Sequence, residues 1–256
     1  MNISLAGKAS VITGASSGIG LAIVRLFLES AADGVVGVDL PGKIPRSVSD
    51  LKDSYGDRLQ LVMGDVGVEA TAVEFTQIAL QHFGKVDVLI NNAGTSVVKP
   101  LHEHTPEEWD LVLNTNVKAI YWAARHIIPG MIKGGGGVIL NTGSISGQVG
   151  LVGQGAYAAS KGAVHQVSRQ MAIEYAPYNI RVNAICPGTV DTPLVQRSAE
   201  ASGDPEAFWQ MLRKGHPIGR IGSPEEIAKV FLFMASDAAS FITRSLLFVD
   251  GGYIAQ

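Results

Sequence analysis

A doubly wound parallel α/β sheet of about seven strands, with helices on both faces, is the fold class this sequence predicts. Two observations carry the prediction. Short runs rich in valine and isoleucine are apolar at every position, and longer amphipathic stretches alternate with them. Strands that are apolar throughout are buried on both faces, and alternation with helices requires right-handed crossovers between parallel neighbours. A third observation agrees. Thr105-Pro106-Glu107-Glu108 and Ser223-Pro224-Glu225-Glu226 each set a cap residue before a proline at the first helical position, with acids in the first turn.

In chain order, the first run, Ala9–Thr13, ends at a glycine-rich turn and leads into a helix over 18–30. Val35–Asp39 closes on an acid and precedes a helix over 46–55. Leu59–Met63 is followed by a helix over 69–83, and Val86–Asn91 by the capped stretch 106–132, read as one helix. The tetraglycine Gly134–Gly137 is the exit from that helix. Val138–Thr142 then leads to a helix over 156–175, Ile180–Ile185 to a proline-glycine turn, and the helix over 224–235 to the last strand, Leu246–Val249.

No repeat and no linker interrupts the 256 residues, so residues 1–256 are expected to form one domain. The 20 Lys and Arg against 23 Asp and Glu give a net charge of −3. Without a basic block, nucleic-acid binding is not expected. The lone Cys186 excludes an internal disulfide and a multi-cysteine metal site. No apolar run reaches the ~18 residues of a membrane helix. The start, Met1–Lys8, lacks the basic end and long apolar stretch of a signal peptide. A cytoplasmic protein is expected.

The turn Thr13-Gly14-Ala15-Ser16-Ser17-Gly18-Ile19-Gly20 joins the first strand to the first helix. Glycines there let the backbone turn tightly and approach a pyrophosphate, whose charge a helix N-terminus favours. The spacing G-x-x-x-G-x-G is weak evidence alone, because a ligand-free turn can look the same. Asp39, 19 residues after Gly20 at a strand end, strengthens it. An acid there can accept hydrogen bonds from an adenosine ribose. A 2′-phosphate about 4 Å from that carboxylate would be repelled by roughly 4 kcal/mol per unit charge at an effective dielectric near 20. Uncharged Ala15, Ser16 and Ser17, and Leu40-Pro41 after the acid, offer nothing to offset this. The cofactor expected is NAD rather than NADP.

Tyr157-Ala158-Ala159-Ser160-Lys161 puts a phenol and an ammonium on one helix face. A phenol titrates near 10, and a neighbouring cation favours its ionised form. Ser144, just past a strand, can hydrogen-bond the same substrate oxygen. A Tyr-x-x-x-Lys pair alone is common on helices and usually structural.

Here, however, the series recurs in order: Gly14–Gly20, Asp65-Val66, Asn91-Asn92-Ala93-Gly94, Asn116, Ser144, Tyr157 with Lys161, and Pro187-Gly188. Pro217-Ile218-Gly219-Arg220, Ser223–Glu226 and Val249-Asp250-Gly251-Gly252 complete it. The sequence resembles the short-chain dehydrogenase/reductase family from end to end. The resemblance implies a Rossmann-like domain and a Ser-Tyr-Lys-Asn tetrad. In it Tyr157 is the general acid/base and Ser144 orients the substrate oxygen. Lys161 holds the nicotinamide ribose and lowers the tyrosine pKa, and Asn116 anchors a water in a proton relay. The implied cofactor contacts are Gly14, Ser16, Ser17, Gly18, Ile19 and Gly20 in the turn, then Asp39 and Leu40. Asp65 and Val66 come at the adenine, Asn92, Ala93 and Gly94 along the site, and Pro187, Gly188, Val190 and Thr192 at the carboxamide end. Two positions depart from the pattern: Arg244 stands where many relatives have glycine, and Gly67 where a polar helix-starting residue is usual.

His102, Glu103 and His104 alternate in a loop and read as solvated or substrate-facing rather than as zinc ligands, so no metal is expected. His165 is expected to pack on its helix, and Cys186 to be a small buried residue. The apolar, small-residue helix over 156–175 should bury one side on the sheet and the other on a second subunit. That fits the dimers and tetramers common in the family, and a tetramer is the leading expectation. Residues 189–215 are longer than a simple connection needs and read as a lid. Its apolar side chains, including Leu194, Val195, Phe208, Trp209, Met211 and Leu212, are expected over the nicotinamide. Ser146, Val149, Leu151 and Gln154 are expected to form the opposite wall. The function expected is an NAD-dependent oxidoreductase interconverting a neutral, medium-sized secondary alcohol and its ketone. The alternatives are a 3-oxoacyl-thioester reductase and a non-catalytic dinucleotide-sensing protein.

Overall fold

The structure, a computed structural model, describes residues 3–42 and 44–256, so Met1 and Asn2 of the signal-peptide reading lie outside the described residues. Seven strands are β1 (Ala9–Thr13), β2 (Gly34–Asp39), β3 (Leu59–Met63), β4 (Val88–Asn91), β5 (Gly137–Thr142), β6 (Ile180–Pro187) and β7 (Leu246–Val249). They form one sheet in the order β3-β2-β1-β4-β5-β6-β7, and every neighbouring pair is parallel. The helices are α1 (Gly18–Glu29), α2 (Arg46–Tyr55), α3 (Glu69–Phe83), α4 (Pro106–Leu113), α5 (Ala119–Lys133) and α6 (Gly155–Tyr175). They continue as α7 (Pro193–Ala201), α8 (Pro205–Lys214) and α9 (Pro224–Ala235).

The all-apolar strands are sandwiched as their composition demands. On one face, Ile23 and Phe27 of α1 and Ile227 and Phe231 of α9 pack with Ile12, Val35 and Leu140. On the other, Phe75 of α3, Ile127 of α5 and Met171 of α6 pack with Val36, Leu89 and Val182. The strand order reverses between β1 and β4. At such a switch point the connections diverge to opposite faces and leave a crevice beyond the carboxyl ends of the strands.

Several boundaries shift by one or two residues from expectation, with β5 taking in Gly137 and β6 running on to Pro187. The fourth strand begins at Val88 rather than Val86. The stretch over 106–132 is not one helix. A proper capping box starts α4, with the Thr105 hydroxyl accepting from the Glu108 amide, but a π-helical turn, Asn114–Lys118, separates α4 from α5. Such a wide turn inserts a residue into the helical ladder and turns a side chain to a new bearing, commonly at a functional site. Here that side chain is Asn116.

Arg244 lies at φ +64°, a left-handed conformation that suits glycine, and its side chain is exposed. An L-residue there costs roughly 1–2 kcal/mol, partly offset by the greater chain entropy of glycine when unfolded. Arg244→Gly is therefore expected to stabilise the chain by up to about 1 kcal/mol. The corresponding rise in thermal midpoint, about 2–4 °C, is read by differential scanning calorimetry.

Candidate active site

The crevice at the switch point is a cleft of about 540 Å³. Its floor is the glycine turn. Gly14 lies at φ +68°, and a Cβ on Gly20 would sit 1.9 Å from the Gly14 carbonyl oxygen, so a side chain at Gly20 would force the turn open. Ser17 precedes α1 without capping it through its side chain. The first amides of that helix therefore remain available to an anion.

Asp39, at the end of β2, is half buried. Its Oδ2 accepts from the Ser16 amide (2.8 Å) and from the Ser16 hydroxyl, and its Oδ1 accepts from the Leu40 amide (2.8 Å). The carboxylate is thus anchored to the turn itself. Asn92, at the end of β4, donates to the carbonyls of Thr13 (3.0 Å) and Gly14 (3.3 Å) and accepts from Thr142 Oγ1 (3.3 Å). One side chain thereby ties β1, β4 and β5 together at the cleft floor.

Beyond β5, Ser144 is buried, and its hydroxyl accepts from the Ser146 amide (3.1 Å). Tyr157 and Lys161 rise from the first turns of α6, with the ammonium 5.5 Å from the centre of the phenol ring. Lys161 is 3% exposed and donates to the Thr142 carbonyl (2.7 Å). Burial holds its pKa down to about 8. Burial also raises the Tyr157 pKa, with the Ser144 hydroxyl opposing the rise. Asn116 is buried behind the lysine. Its Oδ1 accepts from the Thr95 amide (2.8 Å), and its Nδ2 donates to the Thr95 carbonyl and to Ser160 Oγ (2.9 Å each). The side chain acts as a brace across the π-helical turn, with both amide hydrogens engaged.

The expected residues that line the cleft are Gly14, Ser17, Gly18, Ile19, Asp39, Leu40, Asp65, Val66, Asn92, Ala93, Gly94, Ser144, Tyr157, Lys161, Pro187, Gly188, Val190 and Thr192. Ser16, Gly20 and Asn116 are not on its wall. Thr95, Leu111 and Thr115 line it without any sequence signal having marked them.

The lid expectation needs correction. From 189–215, α7 reaches the cleft through Pro193, Leu194, Val195 and Arg197, but no residue of α8 lines it. Phe208 and Trp209 face each other edge to face, 6.1 Å between centroids, and lie off the wall. Ser146, Val149, Leu151 and Gln154 are off it too; the Ser146 hydroxyl donates to Gln154 Oε1 (2.8 Å) instead. Behind Ser144, His165 and Cys186 are both buried, with Nε2 3.2 Å from the sulfur. Burial pushes the thiol up to about 12 and the imidazole down to about 4, which keeps both neutral. Among the described residues, no group of three His, Cys, Asp or Glu side chains could hold a metal, and no helix is long and apolar enough to cross a membrane.

A parallel sheet with a glycine-floored cleft at its switch point and a phenol–ammonium pair on the wall defines a nicotinamide-dinucleotide oxidoreductase. A family model described as enoyl-(acyl carrier protein) reductase matches residues 14–254. Cis-4-hydroxycyclohexanecarboxylate dehydrogenase of Sinomonas cyclohexanicum is 38% identical over 256 residues, all of both chains. A 3-oxoacyl-[acyl-carrier-protein] reductase of Chlamydia muridarum is 38% identical over 98% of this chain and 99% of its own. Among solved structures, L-sorbose reductase of Gluconobacter frateurii, complexed with NADPH and L-sorbose, superposes with a TM-score of 0.93 at 35% identity over the whole of both chains. The chain belongs to the short-chain dehydrogenase/reductase family.

Proposed function

We propose that the protein is an NAD-dependent dehydrogenase that interconverts a secondary alcohol and its ketone, with Tyr157 as general acid/base. The observation that carries this reading is the sharing of one cleft by Asp39, Tyr157, Lys161 and Ser144. The glycine turn and the free amides of α1 fit a pyrophosphate, and Asp39 fits an unphosphorylated ribose. When bound, the dinucleotide supplies the hydride acceptor or donor. Ser144 Oγ holds the substrate oxygen by a hydrogen bond, and Tyr157 Oη exchanges the hydroxyl proton with it. Lys161 lies beside the phenol, where its charge favours the phenolate once the proton moves. Asn116 braces the loop at Thr95 against α6. We further infer one domain whose lid over the cleft is α7, and a homo-oligomer assembled through the outer side of α6, where Ala159 and Ile173 are exposed.

The test follows dinucleotide reduction or oxidation by near-ultraviolet absorbance, with NAD and NADP in parallel. The substrate panel holds neutral cyclic secondary alcohols, their carboxylated counterparts, ketose–polyol pairs and a 3-oxoacyl thioester. Turnover of alcohols with NAD is the expected result. Activity restricted to the thioester with NADPH overturns the reading in favour of the thioester reductase.

Asp39→Ala should weaken NAD binding and relax the discrimination against NADP, because it removes a ribose acceptor and the repulsion of a 2′-phosphate together. A repulsion of a few kcal/mol corresponds to a change in cofactor preference of about 100-fold or more. The ratio of kcat/KM for the two dinucleotides reads it directly. An unmutated enzyme that already prefers NADPH contradicts the assignment of Asp39.

A further inference from the structure

The segment Pro187–Thr192 leaves β6, carries Val190 and Thr192 along the cleft, and enters α7. Directly beneath it lies His216, two residues past the end of α8 and 3% exposed. Its Nε2 is 3.0 Å from the Thr189 amide nitrogen, and its Nδ1 is 2.7 Å from the Leu212 carbonyl oxygen. A backbone amide can only donate and a carbonyl can only accept. Nδ1 therefore carries the proton and Nε2 accepts, so one neutral tautomer satisfies both partners.

The approach is close enough to dictate the neighbouring residue. A Cβ on Gly188 would lie 2.7 Å from His216 Nε2 and 2.9 Å from Asp250 Cα, so only glycine lets the imidazole reach the next amide. The far side of the ring is backed by Tyr253, with centroids 5.1 Å apart. Tyr253 belongs to a terminal turn in which Asp250 accepts from the amides of Gly252 and Ile254 (3.0 Å each) and Gln256 donates to the Gly215 carbonyl (2.9 Å). The carbonyl of Thr189 is held separately, by the Gly222 amide (2.9 Å). The peptide groups of this segment are thus pinned from two directions, and among the described residues it is His216 that accepts the Thr189 amide.

We propose that His216 is a positioning residue for the dinucleotide. Through the Thr189 amide it fixes the backbone that carries Val190 and Thr192 to the root of α8, which sets the nicotinamide end of the cleft before the cofactor arrives. The inference rests on the dinucleotide reading above and adds a residue that contacts neither cofactor nor substrate.

Glutamine and asparagine separate the two nitrogens. In His216→Gln the amide oxygen reaches the place of Nε2 and still accepts from Thr189. In His216→Asn the amide reaches only the place of Nδ1 and keeps the Leu212 bond. NADH affinity is measured by fluorescence titration without substrate, and backbone exchange of the peptide containing Thr189 by mass spectrometry. Thermal melts establish that both variants fold. His216→Asn should weaken NADH binding about tenfold, equivalent to about 1.4 kcal/mol, and speed exchange at Thr189. His216→Gln should stay close to the unmutated protein in both. If asparagine binds NADH normally, or if glutamine loses as much as asparagine, the acceptor role is wrong and His216 only fills space. Should the unmutated protein bind neither NADH nor NADPH, the dinucleotide reading itself falls.

Discussion

Tyr157→Phe is expected to lower turnover by about 10²- to 10⁴-fold while NADH still binds, because the ring keeps its volume and loses only its exchangeable proton. The loss should fall on kcat, since the hydroxyl acts only as the hydride moves. The pH dependence has a definite sign. Burial raises the Tyr157 pKa, so the phenol is protonated at neutral pH. Ketone reduction, which needs the acid form, should hold steady from neutral pH until the phenol ionises. Alcohol oxidation, which needs the base form, should accelerate as pH climbs toward that point. Steady-state rates in both directions across the alkaline range check this. A phenylalanine variant that keeps near-full activity removes Tyr157 from the chemistry.

Lys161→Met should separate activity from stability. Turnover should fall at least about 100-fold, as expected when a group that assists proton transfer is lost. The folded chain should nevertheless be no less stable at neutral pH. The buried ammonium has a pKa of about 8 against 10.5 when free, so holding it charged costs the fold about 3 kcal/mol. The sign follows from linkage. Below pH 8 both folded and unfolded chains carry the proton, and the cost is present in full. Between about pH 8 and 10.5 the folded chain releases it first, and the unmutated protein gains stability as pH rises. The advantage of the methionine variant should therefore be greatest at neutral pH and shrink toward pH 10. Denaturant unfolding at several pH values measures it. A methionine variant less stable than its parent throughout would mean that the Thr142 bond outweighs the burial cost.

The fold was legible because its strands are two-sided. Val11, Val36 and Leu89 face one cluster while Ile12, Val35 and Ile90 face the other, and only a strand between two helix layers is apolar at every step. The cleft residues read from sequence were those whose identity is forced by backbone or charge: Gly14 by its positive φ, Asp39 by its strand end, Tyr157 and Lys161 by their spacing. Residues chosen by shape alone left no mark. Leu111 and Thr115 reach the cleft from the end of α4 and the π-helical turn, which local propensity does not distinguish from plain helix. Trp209 misled for the opposite reason. An amphipathic helix announces an apolar face but not which surface that face meets, and α7 already occupies the cleft mouth. His216 carried no signal because its partners, the Thr189 amide and the Leu212 carbonyl, are backbone groups that any sequence possesses.

The π-helical turn at Asn114–Lys118 has a meaning for how the molecule can change over time. Each residue of an α-helix advances the bearing of its side chains by about 100°. The extra residue therefore acts as an offset between two dials. Upstream, it governs where Leu111 meets the cleft; downstream, it governs which side of α5 presents Ile120, Ile127 and Met131 to the sheet. Asn116, clasping Thr95 and Ser160, is the pin between them. Lineages can vary the residues on either dial one at a time, but an insertion or deletion here would turn one against the other and misalign site and core in a single step. A change in the length of this segment should consequently cost the molecule more than a change in its composition.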